Sequence, residues 1–245
     1  MKFISINNGP LEYNRNQIAH ILRMVDEYKN LNIIIGASIY DSFDKEKRSV
    51  VNKKKPYDLH NSALQINSKN IQFRHKSKLV PGAEFLPFEK FLKPFFGDNF
   101  LKLAGHAGRF SGQDTISLFT SKINNKVATL VCYESVFSNH VRKFIQKGAE
   151  AIFIITNDGW WGDTQGRKQH NSYASIRAIE TRRYVVRSAN TGTSSVINPL
   201  GNFEHALQSN TSASFIKQIK LLSEKTFYVK YGNFLIFAYL VGFFL

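Results

Sequence analysis

A single cysteine, Cys132, stands in a chain of 245 residues. It cannot close an internal disulfide or supply a cysteine-based zinc site. Two readings remain, a small apolar packing residue or a nucleophile. Acids are scarce beside bases: 18 Asp and Glu face 33 Lys and Arg, a net charge of +15. Such a field favours anionic partners, either nucleic acid or an anionic membrane surface. The basic residues do not gather into one long run, and the densest stretch is Lys53-Lys54-Lys55. A generally basic, solvated surface is therefore preferred over a dedicated binding stripe. Zinc-finger spacing, a P-loop and an RNA-binding aromatic signature are all missing. So are internal repeats and low-complexity segments. The opening Met1-Lys2-Phe3-Ile4-Ser5 lacks the apolar core of a signal peptide. With 43% hydrophobic residues, the composition excludes a disordered chain, a collagen-like repeat and a disulfide-stapled mini-protein. The length suits one large domain or two small ones.

Long apolar runs are also rare, with one exception. Phe234 to Leu245 reads FLIFAYLVGFFL and carries no charge. A spanning helix needs about 20 apolar residues. A helix apolar all round belongs either in a deep core or in lipid. The run has no polar face, so it reads as the first part of a membrane helix cut off by the end of the sequence. Lys225, Tyr228, Lys230 and Tyr231 precede it, as cationic and aromatic anchors at a membrane interface would.

Elsewhere the pattern alternates. Ile18, Ile21, Leu22 and Val25 make a helical stripe over 17–29. Residues 32–37 form a β-branched run expected to be a buried strand ending at Gly36. Residues 41–58 read as a loop. Residues 62–66 and 71–74 read as a hairpin around Asn67-Ser68-Lys69-Asn70. The proline- and aromatic-rich stretch 81–96 reads as loop with short helix. Further strands are expected over 116–120, 126–132, 151–156, 184–189 and 194–197, and helices over 137–147 and 171–183. Strands alternating with helices, with hairpins mixed in, predict an α/β or α+β layered fold with a mixed sheet.

Cys132 follows the apolar strand Val127 to Val131 and leads Cys132-Tyr133-Glu134. In layered α/β proteins, ligands gather at the carboxyl ends of strands. Lys76 leaves another strand in Phe73 to Pro81, with Glu84 eight residues on, and Asn157 to Asp163 (NDGWWGD) follows a third. Each alone reads as a polar turn. Strand ends carrying Cys, Lys and Glu beside a Trp-rich polar loop make a better case for one site.

These residues resemble the nitrilase (carbon–nitrogen hydrolase) superfamily, whose triad is Glu, Lys and Cys. They are most similar to its apolipoprotein N-acyltransferase branch, of bacterial lipoprotein maturation. That branch has a Lys, then Leu-Val-Pro, then Glu, as in Lys76, Leu79-Val80-Pro81 and Glu84. It has Cys-Tyr-Glu, as in Cys132 to Glu134, and Asn-Asp-x-Trp-x-Gly-Asp, as in Asn157 to Asp163. It then has a His, an Arg-Ala-x-Glu helix and Arg-Ser-x-Asn-x-Gly, as in His170, Arg177 to Glu180 and Arg187 to Gly192. The resemblance implies a nitrilase-like α-β-β-α sandwich over 1–225 with its first strand missing, and a truncated C-terminal transmembrane helix over 226–245. It implies a fatty acyl chain passing from a membrane glycerophospholipid, through a Cys thioester, to the α-amino group of a diacylglyceryl-cysteine at a lipoprotein N-terminus. Cys132 maps to the nucleophile, Lys76 to the oxyanion stabiliser, and Glu84 to a second carboxylate that orients Lys76 and the acceptor amine. Tyr133 and Glu134 map to supporting positions, where packing and a structural ion pair are the alternative roles.

No metal, cofactor or nucleic-acid partner is implied. The implied location is the bacterial inner membrane, with the catalytic domain facing the periplasm. One part of the pattern is absent. The family's general-base Glu lies in a Pro-Glu motif ahead of the first helix, and this chain has none before Gln17. Glu12 lacks that context. The chain is therefore expected to be inactive alone, as a fragment or a degenerate gene product. Two rivals remain: a soluble nitrilase-type amidase using water as acceptor, and a non-catalytic basic binder of anionic surfaces.

Overall fold

The computed structural model describes residues 3–6, 15–42, 57–85, 87–88, 91, 110–234, 239 and 242. The chain divides into two compact units, Met1–Thr115 and Ile116–Leu245.

In the N-terminal unit, β1 (Phe3–Ile6) precedes α1 (Arg15–Glu27), β2 (Asn32–Ser42), β3 (Tyr57–Asn67) and β4 (Ile71–His75). They form one sheet in the order β1-β2-β3-β4, with β1 parallel to β2 and the other pairs antiparallel. The strand β1 corrects the expectation that a strand ahead of the first helix is missing. Phe3 to Ile6 pair with Ser38 to Asp41 and cover that edge of β2. Helix α1 forms because its apolar residues recur at helical spacing. Ile18 and Val25 are buried from that face with Ile39, Leu64 and Ile66, and Ile21 and Leu22 pack against them. Strand β2 does not stop at Gly36. Gly36 lies opposite Ala63 in a ladder that runs unbroken from Asn32↔Asn67 to Ser42↔Tyr57. Pairing along the whole strand outweighs the weak propensity of one glycine. The expected loop over 41–58 is therefore strand at both ends, and its middle, 43–56, lies outside the described residues. The turn Asn67 to Asn70 folds as read. Asn67 Oδ1 accepts from the backbone N–H of Lys69 at 2.9 Å and of Asn70 at 3.0 Å, an Asx turn.

In the C-terminal unit, β5 (Phe119–Thr120) and β6 (Lys126–Val131) lead to a 3₁₀ turn (Cys132–Val136), α2 (Ser138–Gln146) and β7 (Ala151–Thr156). A second 3₁₀ turn (Asp158–Trp161), α3 (Gln165–Thr181), β8 (Val185–Ala189), β9 (Ser195–Ile197), β10 (Phe203–Ala206) and α4 (Phe227–Tyr231) follow. The sheet order is β10-β9-β8-β7-β6-β5, and β6, β7 and β8 are parallel. The sheet is mixed, as expected. Leu130, Ile152, Ile154 and Val185 are buried with Val141, Phe144 and Ile145 of α2, Ala174 and Ala178 of α3, and Val229 of α4. Strand β10 is a strand the pattern does not announce. All four of its residues are exposed, so it has no apolar alternation to read.

No helix among the described residues is long and apolar enough to cross a membrane. Most of Phe234 to Leu245 lies outside the described residues. Two of the expected interfacial anchors are engaged within the unit instead. Lys225 Nζ donates to the Gln146 carbonyl at 3.0 Å, and the Tyr228 hydroxyl meets Ser138 Oγ. Lys230 and Tyr231 are exposed.

Candidate active site

Lys76 is the first residue beyond β4. Its backbone N–H donates to the Asn61 carbonyl at 2.7 Å, and Gln113 N–H donates to its own carbonyl at 3.2 Å. Its side chain turns inward and is 1% exposed, whereas Lys78 is exposed. The segment from Val80 to Phe85 then loops back. Gly82 N–H donates to the Phe85 carbonyl at 2.8 Å, and Gly82 takes a φ of +79°, a left-handed backbone that glycine adopts without strain. The return brings Glu84 onto Lys76. Nζ lies 2.8 Å from Oε1 and 2.7 Å from Oε2. Glu84 Oε2 also accepts from Val80 N–H at 2.7 Å, and Oε1 accepts from the Asn61 side chain. A buried charge is tolerated when it is paired and its remaining lone pairs are satisfied, and this carboxylate meets both conditions. The eight-residue interval between Lys76 and Glu84 thus closes into one ion pair.

Cys132 opens the 3₁₀ turn at the carboxyl end of β6, with a φ of +53°. That conformation is uncommon for a residue with a Cβ and survives only where the surroundings hold it. Glu134 ties one side. It is fully buried, its Oε2 accepts from Val131 N–H at 2.8 Å, and its Oε1 accepts from His140 Nε2 at 3.3 Å. Ser135 Oγ ties the other by donating to the Cys132 carbonyl at 2.9 Å. Tyr133 stacks edge-on against Phe137, ring centroids 5.1 Å apart. Glu134 therefore holds the turn, and Tyr133 packs beside it.

Beneath the turn lies a polar network that residue reading alone did not assemble. Asp158, just past β7, receives hydrogen bonds from Thr156 Oγ1 at 2.9 Å and from the Arg187 guanidinium of β8. His170 of α3 places Nδ1 3.0 Å from Asp158 Oδ1 and Nε2 3.2 Å from Ser135 Oγ. Burial acts to raise the Asp158 carboxyl, but the His170 hydrogen bond and the Arg187 charge prevail and hold it at about 2. Asp158 also explains a glycine: a Cβ on Gly192 would sit 2.1 Å from Asp158 Oδ2. Arg177 donates to the Val136 carbonyl at 3.1 Å, closing the far end of the turn. Asp158, His170, Arg177, Arg187 and Gly192 stand in the sequence motifs above, whereas Thr156 and Ser135 lie one residue outside them. What the motifs lacked was their convergence, which comes from the adjacent ends of parallel β6, β7 and β8.

The structure thus joins Lys76 with Glu84 in the N-terminal unit, and Cys132, Tyr133 and Glu134 in one turn of the C-terminal unit.

The carbon-nitrogen hydrolase family model matches residues 17–223. An apolipoprotein N-acyltransferase of Agrobacterium fabrum is 40% identical over 149 residues, 60% of this chain and 27% of that protein. One of Wigglesworthia glossinidia brevipalpis is 30% identical over 190 residues, 76% of this chain and 37% of that protein. The chain thus spans about a third of the length of these curated relatives. Among solved structures, Nit3 of Saccharomyces cerevisiae, a member of branch 10 of the nitrilase superfamily, aligns with a TM-score of 0.55 at 16% identity, over 83% of this chain and 64% of that one. A carbon-nitrogen hydrolase from Helicobacter pylori G27 aligns with a TM-score of 0.54 at 16% identity, over 81% of this chain and 65% of that one. These likenesses show a nitrilase-like α/β fold.

Proposed function

Because the chain belongs to the carbon-nitrogen hydrolase family, we propose that it carries the acyl-transfer chemistry of the apolipoprotein N-acyltransferases it resembles. The observation that carries the reading is Cys132, the only thiol, in a left-handed conformation at a strand end. A stapled cysteine at positive φ in that place supports the reading as a presented nucleophile over that of a packing residue. The family's α-β-β-α layering over 1–225 belongs to the same proposal, as does the start of a C-terminal transmembrane helix within 226–245, placed beyond α4 because Val229 is buried in the core of the C-terminal unit.

Cys132 Sγ attacks the ester carbonyl of a glycerophospholipid, forming a C–S bond. Collapse of the tetrahedral adduct breaks the ester C–O bond, and the lysophospholipid leaves as an alcohol carrying a proton. The α-amino group of a diacylglyceryl-cysteine then attacks the thioester. A C–N bond forms, the C–S bond breaks, and an amine proton returns the thiol. The Lys76 ammonium stabilises the oxyanion of each adduct, a contribution of several kcal/mol in well-built sites. Glu84, bonded to Lys76 through both oxygens, fixes that ammonium's orientation. The apolar stretch from Phe234 enters the lipid, at the bacterial inner membrane, with the catalytic residues on the periplasmic side.

The missing Pro-Glu makes the proton step specific. Between β1 and α1 the one acid is Glu12, which lies outside the described residues. A general base is worth about 10²–10⁴-fold. Phospholipid should therefore give no stoichiometric thioester at neutral pH, whereas a fatty-acyl p-nitrophenyl ester, whose leaving group needs no proton, should acylate Cys132. The test adds that ester and a synthetic diacylglyceryl-cysteinyl peptide to the full chain and follows both by mass spectrometry. The reading expects the peptide to gain one acyl group on its amine. Release of free fatty acid with no acylated peptide would overturn it and favour a hydrolase that uses water.

A further inference from the structure

Resting on the reading of Cys132 as nucleophile, the geometry points to His170 as its positioning residue: the edge of the ring that bears Nε2 holds the Cys132 peptide in its left-handed conformation. His170 sits on α3 and is 4% exposed. Its Nε2 lies 3.3 Å from the Cys132 carbonyl oxygen and 3.2 Å from Ser135 Oγ, which itself donates to that carbonyl. The ring therefore touches both atoms that fix the peptide after Cys132. Its other nitrogen is anchored. Nδ1 lies 3.0 Å from Asp158 Oδ1 and 3.3 Å from an Arg187 guanidinium nitrogen. Asp158 is in turn held by Arg187, whose guanidinium also donates to the Thr193 carbonyl, and by Thr156. A rigid base on β7 and β8 thus presents one edge of an imidazole to a strained residue at the end of β6.

A non-glycine residue at positive φ persists only while its neighbours over-determine it. Glu134 constrains the peptide before Cys132, through Val131 N–H. His170 and Ser135 constrain the peptide after it. When the His170 ring no longer braces that carbonyl, Cys132 relaxes toward negative φ, the Cα–Cβ bond swings, and Sγ leaves the place it holds at the strand end.

Two substitutions separate this role from a scaffold role. In His170→Asn, the amide nitrogen reproduces Nδ1 and keeps the bond to Asp158 but cannot reach Cys132. In His170→Gln, the amide takes the place of Nε2 and keeps the contacts with the Cys132 carbonyl and Ser135 Oγ. Because Cys132 is the only cysteine, alkylation of the full chain by iodoacetamide reports on one atom. The inference expects His170→Gln to react within about twofold of the unaltered chain and His170→Asn to react about fivefold or more slowly, since small misplacements of a reacting atom carry large rate penalties. Thermal unfolding is recorded on each variant. A chain that has lost its fold exposes its thiol and reacts faster, so loss of folding cannot imitate the expected slowing. Equal rates in all three proteins would overturn the inference. So would a normal rate in His170→Asn, which makes His170 a partner of Asp158 alone, or fast reaction with loss of the cooperative transition in both variants, which makes His170 a support of the whole fold. Iodoacetamide needs no acyl donor, so failure of the acyl-transfer reading leaves this result untouched, and the reverse holds too.

Discussion

Lys76 and Glu84 form a buried pair, so removing either partner strands the other. Glu84→Ala leaves an ammonium that is 1% exposed without its carboxylate, and should destabilise the N-terminal unit by about 3–5 kcal/mol. Lys78→Ala, at an exposed position, should stay within about 0.5 kcal/mol. Urea denaturation of both variants checks this, and equal losses would contradict it. Lys76→Arg should not restore acylation, because the planar fork differs in size and donor direction from an ammonium. Cys132→Ala and Cys132→Ser should both lose the acyl adduct, the first by roughly a thousandfold or more in rate. Lys76 and Cys132 were legible in the sequence because each stands just past a strand end, and Glu84 because it follows Leu79-Val80-Pro81 eight residues beyond Lys76. Their geometry was not. Around the left-handed backbone of Cys132, Glu134 and Ser135 of its own turn meet His170 of a separate helix, and spacing along the chain does not encode that meeting.

At the scale of elements, Asp158 joins the segment after β7 to β8 and α3, and its titration should be visible in stability. Its carboxyl sits at about 2 in the fold against 3.8 ordinarily. A depressed carboxyl contributes stability above its unfolded value and loses it as pH falls through the folded value. The contribution should be about 2 kcal/mol above pH 4 and should fade between pH 4 and 2. Denaturant midpoints of the unaltered chain and Asp158→Asn, measured across that range, should converge as the pH drops. A gap independent of pH would contradict the assignment. Gly192→Ala should be severe for a different reason. Its Cβ would press into Asp158 Oδ2 at 2.1 Å, and a clash of that kind costs about 1–3 kcal/mol; an unchanged melting temperature would refute it. Elements with strong periodicity were readable, α1 and the β3–β4 hairpin above all. Helix α3 begins at Gln165, earlier than its apolar pattern implies. Thr164 takes the extended cap conformation, and Asp163 pairs with Arg167 across the first turn, interactions that supply no hydrophobic signal. Strand β10 owes its existence to pairing with β9 and to nothing in its own alternation.

At the scale of the whole chain, a net charge of +15 and the apolar stretch from Phe234 fit the environment proposed above, an anionic lipid surface. Exposed Tyr231, Phe234 and Tyr239, at 59%, 53% and 72%, present apolar area that water disfavours. Deleting residues 234–245 should raise solubility, and it should lower partition onto phosphatidylglycerol vesicles by on the order of a hundredfold. Vesicle sedimentation measures the second effect, and undiminished binding would place the membrane-binding surface elsewhere. Steeply salt-dependent DNA binding would instead favour a nucleic-acid partner.

The central proposal is that Cys132 is the nucleophile of an acyl-transfer reaction in which, as the family resemblance implies, Lys76 takes part. Intact-mass spectrometry with peptide mapping, on the full chain exposed to a fatty-acyl p-nitrophenyl ester, tests it most directly. The account predicts one acyl group per chain on Cys132, none in Cys132→Ala, and a rate about a hundredfold lower in Lys76→Ala for loss of an oxyanion donor. Acylation of Cys132 at an undiminished rate in a folded Lys76→Ala chain, or adducts that persist in Cys132→Ala, would contradict it.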